Sequence, residues 1–98
     1  MEMDHRRLNK LRQLLNQADD GLVNAVKARM RLVREIALVK EKIHLAVYQP
    51  QREADMMARL CAMGDKDLSS EEIRILMETV LSISKNAQTR WQQENVRD

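Results

Sequence analysis

One cation stands where a helix seam calls for leucine or valine, and a second follows on the same face. Arg29 falls in a ladder of apolar residues spaced three and four apart, and Lys40 follows eleven residues later. A buried guanidinium without a counter-charge is costly, so Arg29 requires a carboxylate or an anionic ligand. Eleven helical residues are three turns plus about 20°, which puts both cations on one face about 16 Å apart along the axis. Long side chains can converge from that separation on one small anion. They can equally reach solvent or pair with Glu35 or Glu41 on neighbouring turns. Arg12, 17 residues before Arg29, is about 25 Å away and turned by about 100°, out of reach of the same pocket within one chain. It reads either as a solvated surface charge or as a group delivered by an antiparallel second chain.

Four further polar residues need an explanation. Arg52 and Glu53 follow Pro50 in the first turn of a helix, where the helix dipole favours a glutamate whatever its function. Ser84 and Gln88 lie i, i+4 in an apolar stripe between Val80 and Trp91, so each must hydrogen-bond backbone, water or ligand. Ser84 can bond back to the Val80 carbonyl. Gln88 needs several partners. Several cations, one Glu, one Ser and one Gln in a helical core describe a site for a small multi-anion with hydroxyl or ether oxygens. No Ser/His/Asp or Cys/His grouping, Gly-rich phosphate loop or metal cluster competes with it.

The composition limits what can hold these groups. Ninety-eight residues, 33% charged and 44% apolar, make one small domain, neither disordered nor membrane-like. A net charge of +2 is too balanced for a basic nucleic-acid surface. Phe is absent and Trp91 and Tyr48 are the only aromatics, which removes stacking platforms for single strands. Two Gly and one Pro leave little material for the turns of an all-β fold. Cys61 has no partner for an intrachain disulfide, and it reads as a small buried hydrophobe. No apolar run has the length of a signal peptide or a membrane span. A reduced, cytoplasmic compartment is expected.

Three helical segments emerge. The first runs from about Asp4 to His44, with Leu8, Leu11, Leu15, Ala18, Leu22, Ala25, Leu32, Ile36, Val39 and Ile43 forming a heptad-type seam. A break at Leu45–Gln49 precedes a second helix, Pro50 to Met63, with proline at its first turn and Gly64 as its stop. Its inward residues are Met56, Met57, Leu60 and Cys61, with the methionines as core filler. Ser69 and Glu72 form a capping box that opens a third helix. Ile73, Leu76, Met77, Val80, Ile83, Ser84, Ala87 and Trp91 face inward, and the tail from Gln92 frays. A forty-residue helix is a rod of about 60 Å, whereas a compact chain of this length has a radius of gyration of about 13 Å. Two short helices cannot cover such a seam, so the spacing predicts an intertwined all-α homodimer.

These residues resemble the all-helical chorismate mutases (the AroQ class). The likeness spans Leu8 to Gln92, nearly the whole chain. Leu8–Asn9–Lys10–Leu11–Arg12, with Asp19 beyond it, is similar to the family's opening motif. Arg29, Lys40 and Arg52-Glu53 match its R…K…RE spacing, and Ser84 with Gln88 is similar to its third-helix pair. The resemblance implies a cofactor-free, metal-free rearrangement of the dicarboxylate chorismate to prephenate. Under it, Arg12 from the partner chain and Arg29 hold the two carboxylates, and Ser84 supports one of them. Lys40 bridges a carboxylate and the ether oxygen, to which Gln88 also donates. Arg52 shapes the pocket and Glu53 takes the ring hydroxyl.

One position departs from the pattern. Gln49 stands where many members carry an acid that helps to bind the ring hydroxyl. Relatives that act on 4-amino-4-deoxychorismate, and the isochorismate–pyruvate lyases, share the scaffold, so the ring substituent stays open. A non-catalytic helical interaction module is a reading of another class, although such a module has no need of Arg29, Lys40 and Gln88 together. A helix-turn-helix DNA binder would use the third helix, where Arg74, Lys85 and Arg90 are too dispersed to line a groove.

Overall fold

The computed structural model describes residues 1–46 and 49–96. The chain forms three helices, α1 (Glu2–Lys42), α2 (Pro50–Cys61) and α3 (Ser70–Val96), with no strand among the described residues. Residues 1–32 make one compact unit, and the chain from Val33 onward makes a second. No helix among the described residues is long and apolar enough to cross a membrane.

The first unit is helical from Glu2, with Glu2 and Asp4 in the first turn, where negative charge opposes the helix dipole favourably. It contains no buried residue, and its side chains beyond half-burial are those of Val26, Arg29 and Met30. Leu8, Leu11, Leu15 and Leu22, the expected seam, are exposed.

The second unit holds the core. Here α2 lies against α3, and Met57, Ile73, Val80 and Ala87 are buried. Met56, Leu60, Cys61, Met77 and Trp91 are half-buried beside them, as the apolar spacing of both helices requires. Two inward expectations are corrected: Leu76 and Ile83 are exposed. A 12-residue α2 covers one row of a broader apolar arc on α3, and these two residues lie on the uncovered side. On α1 the seam is left uncovered by its own chain, in keeping with the excess length of that helix. Its half-buried residues in this unit are Val33, Ala37 and Lys40, whereas the seam residues Leu32, Ile36, Val39 and Ile43 are exposed. The covered stripe is offset by one residue, about 100° of rotation, from the seam read by spacing.

Local chemistry fixes the helix ends. At the end of α1 the Leu45 amide donates to the Lys40 carbonyl (2.8 Å) and the His44 amide to the Glu41 carbonyl (3.3 Å). This is a Schellman closure with His44 in the left-handed region (φ 58°). An L-residue pays about 1–2 kcal/mol for that conformation. The expected break at Leu45–Gln49 begins here; Val47 and Tyr48 lie outside the described residues. Extended Gln49 precedes Pro50, its side chain makes no capping bond, and its carbonyl accepts the Glu53 amide at 3.2 Å. Helix α2 ends at Cys61 rather than Met63.

Gly64 stops the helix for a reason other than a left-handed backbone, since no glycine has positive φ. The Ser70 hydroxyl donates to the Cys61 carbonyl (2.6 Å), which draws the start of α3 onto the end of α2. A Cβ on Gly64 would lie 2.6 Å from the Ser70 backbone nitrogen. The Asp65 carboxylate accepts the amides of Asp67 and Leu68, both at 2.9 Å, and closes the turn. The capping box then forms as expected. The Ser69 amide donates to Glu72 Oε1 (2.9 Å) and the Glu72 amide to Ser69 Oγ (3.1 Å). Helix α3 continues to Val96, beyond Gln92 where the polar tail suggested fraying.

Two stability predictions follow from these ends. Gly64→Ala should cost about 1–3 kcal/mol through backbone crowding. Gly21→Ala, where an added Cβ meets nothing within 4 Å, should gain about 0.5–1 kcal/mol from helix propensity. Denaturant unfolding followed by helical circular dichroism checks both signs. Separately, the hydrogen bonds from the Ser69 amide and then the Ser69 hydroxyl hold the Glu72 carboxyl below its ordinary value of 4.5. A depressed folded value stabilises fully above that ordinary value, and the effect fades as pH falls through the folded one. Glu72→Gln should therefore unfold at a lower temperature than wild type at neutral pH and at the same temperature in strong acid. A gap that persists in acid would assign the effect to something other than the charge.

Candidate functional site

The polar residues singled out by spacing fall into two groups by exposure. Arg29, Lys40, Gln49, Glu53 and Gln88 are half-buried, and Ser84 is buried; Arg12 and Arg52 are exposed. In the first unit, Arg29 is the cation withdrawn from solvent and Arg12 stands on the open surface.

In the second unit each side chain is placed by a recognisable local cause. Lys40 lies in the last turn of α1, where the helix dipole favours a cation, and its own carbonyl is bound by the Schellman closure. That bond fixes the backbone from which the ammonium extends. Gln49 and Glu53 flank Pro50 at the start of α2. Because the Gln49 carboxamide takes no part in capping, the helix itself leaves that side chain unused. Glu53 sits in the first turn, favoured by the dipole.

On α3, Ser84 donates to the Val80 carbonyl at 3.0 Å, the back-bond that its place in an apolar stripe required. Gln88 is one turn further along, and Trp91 beyond it is capped by the Arg34 guanidinium, 5.3 Å from the ring centroid. This cation–π contact joins α1 to the end of α3 and holds the segment that carries Gln88. Sequence reasoning placed Trp91 inward but missed Arg34, because a cation on a helix flank announces no partner by itself.

Lys85 is the other residue the sequence reading missed. Its ammonium lies 3.6 Å from Glu53 Oε1 and bridges α3 to the start of α2. Both residues line an open groove with Glu78, Leu81, Ser82 and Asn86. Two opposite charges on separate segments were visible in the sequence, but no spacing rule pairs residues 32 positions apart. The described structure thus brings Glu53 together with Lys85, Ser84 with Val80, and Trp91 with Arg34.

A profile of the chorismate mutase type II family matches residues 11–89, a span that contains every one of the eight residues above. The chain belongs to this family. It is also similar to the T-protein of Enterobacter agglomerans, 37% identical over 51 residues. That match covers 52% of this chain and 14% of that protein, so the chain spans a small part of its relative's length. No solved structure matches significantly. Membership bears out both the resemblance read from the sequence and the all-α, three-helix class.

Proposed function

We propose that the chain is a chorismate mutase, an isomerase that converts chorismate to prephenate for aromatic amino acid biosynthesis without a cofactor. The observation that carries this reading is the family match over residues 11–89, within which Arg12, Arg29, Lys40, Arg52, Glu53, Ser84 and Gln88 are the residue types that the resemblance implies and Gln49 is the one departure. The enzyme acts in the cytoplasm as a homodimer, its 98 residues forming one mutase domain. Arg12 of the partner chain and Arg29 hold the two carboxylates, with Ser84 in support. Lys40 and Gln88 donate to the ether oxygen. Arg52 shapes the pocket, and Gln49 with Glu53 binds the ring substituent.

The chemistry suits such a set. The reaction transfers no proton and uses no nucleophile, so the protein has to hold the enolpyruvyl arm over the ring in a reactive conformer. As the C–O bond breaks, negative charge grows on the ether oxygen. A fixed donor there stabilises the transition state by about 3–4 kcal/mol more than water does.

Support for the dimer comes from α1. Leu8, Leu11, Leu15, Leu22, Leu32, Ile36, Val39 and Ile43 are each 43% to 61% exposed, an apolar ladder that solvent disfavours. Leu76 and Ile83 extend the uncovered surface on α3. A twofold partner that runs antiparallel along α1 covers the ladder and delivers its Arg12 to the middle of this helix.

An ultraviolet assay with product identification, run on chorismate, isochorismate and 4-amino-4-deoxychorismate, tests the reading directly. Gln88→Ala should lower kcat on chorismate at least tenfold, on the order of one lost transition-state hydrogen bond; near-wild-type kcat would remove that role. Sharing of the site across the interface has its own signature. Arg12→Ala and Arg29→Ala homodimers should each be nearly inactive. Co-expressed, they should recover about one quarter of wild-type activity, since half the dimers are mixed and each mixed dimer keeps one intact site. Absence of recovery would place both arginines in the same subunit's site.

A further inference from the structure

Resting on the mutase reading, we propose that Lys85 is a positioning residue for Glu53. It fits the ring-substituent end of the site to an uncharged hydroxyl rather than an ammonium. The inference comes from three observations. Lys85 Nζ stands 3.6 Å from Glu53 Oε1, with the two side chains 56% and 30% exposed. Glu53 is tied to the first turn of α2, and its backbone amide to the Gln49 carbonyl, so the pair fixes one carboxylate oxygen relative to α3. Gln49, the other residue assigned to the ring substituent, is uncharged and half-buried.

These placements determine the charge that a ring substituent meets. A lone carboxylate beside a neutral amide would attract a cation. With Lys85 beside it, the Glu53–Gln49–Lys85 set sums to zero. The remaining oxygen of Glu53 accepts a hydroxyl proton, while an ammonium in the same place faces the like charge of Lys85. Glu78 also lines the groove, but it is seven residues before Lys85, about 10 Å along the helix. Its charge is the same in every Lys85 variant, so it drops out of the comparison between them. An amine on an allylic ring carbon is protonated near neutral pH, so the hydroxyl and amino forms of the substrate differ by a full charge at this point.

The test compares kcat and KM on chorismate and 4-amino-4-deoxychorismate for wild type, Lys85→Ala and Lys85→Arg. Wild type should favour chorismate. Lys85→Ala should reduce that preference about tenfold, as expected when a like charge a few ångströms from the substituent is removed. The change should appear mainly as a lower KM for the amino compound and a higher KM for chorismate. Lys85→Arg should restore the wild-type ratio, and in a Glu53→Gln background Lys85→Ala should alter the ratio little. High salt should narrow the wild-type preference, because the pair is partly exposed. A Lys85→Ala ratio equal to that of wild type, or failure of arginine to restore it, overturns the proposal while the mutase reading stands. Turnover of neither compound by wild type overturns both.

Discussion

A helix as long as α1 presents an apolar arc wider than one neighbour can cover, and the rest of the molecule answers to that excess. Apolar residues occupy two adjacent stripes. Val33, Ala37 and Lys40 are half-buried, while Leu32, Ile36, Val39 and Ile43, a rotation of about 100° away, remain in solvent. Burial of apolar area is worth about 25 cal/mol per Å², which is the physical ground on which the proposed dimer rests. Arg29 and Lys40 sit half-buried among these stripes.

The hairpin of α2 and α3 supplies what α1 lacks, a fixed reference. Its turn is over-determined: Ser70 binds the end of α2, Asp65 binds the loop, and Ser69 and Glu72 bind each other. Each bond is modest by itself, about 1 kcal/mol, but they act on a segment of a few residues and leave it one conformation. That rigidity is why α2, only 12 residues long and without a side-chain cap at its start, can hold Glu53 at a set distance from α3.

Much of this was legible in the sequence, and the failures have physical causes. Pro50, the Ser69–Glu72 box and the inward rows of α2 depend on local chemistry, which sequence displays. The seam of α1 was legible as one that its own chain cannot cover, but the adjacent half-buried stripe of Val33, Ala37 and Lys40 was not. Periodicity reports that a face is apolar, but it cannot say which half of a wide arc meets its own chain. Gly64 was legible as a stop, but its reason, a close approach to Ser70, is a tertiary constraint invisible to spacing. Of the candidate site, the half-burial of Arg29, Lys40 and Gln88 agrees with their places in apolar rows. Ser84 shows the back-bond that its neighbour Val80 offered. Lys85 was legible only as a dispersed charge, since ion pairs between distant segments leave no pattern along the chain.

Under the proposed mutase reading Gln88 donates to the ether oxygen, and the chemistry of an amide suits that role. Developing charge on an ether oxygen needs a donor that is present at every moment and does not compete for protons. A carboxyl group would donate only when protonated, and a serine hydroxyl in this helix has an acceptor within reach four residues back, as Ser84 shows. An amide donates at any pH and is long enough to project past its own backbone. Gln88 is half-buried one turn beyond Ser84 and just before Trp91; in the proposed reaction, freedom that burial removes during folding does not have to be lost again in the transition state.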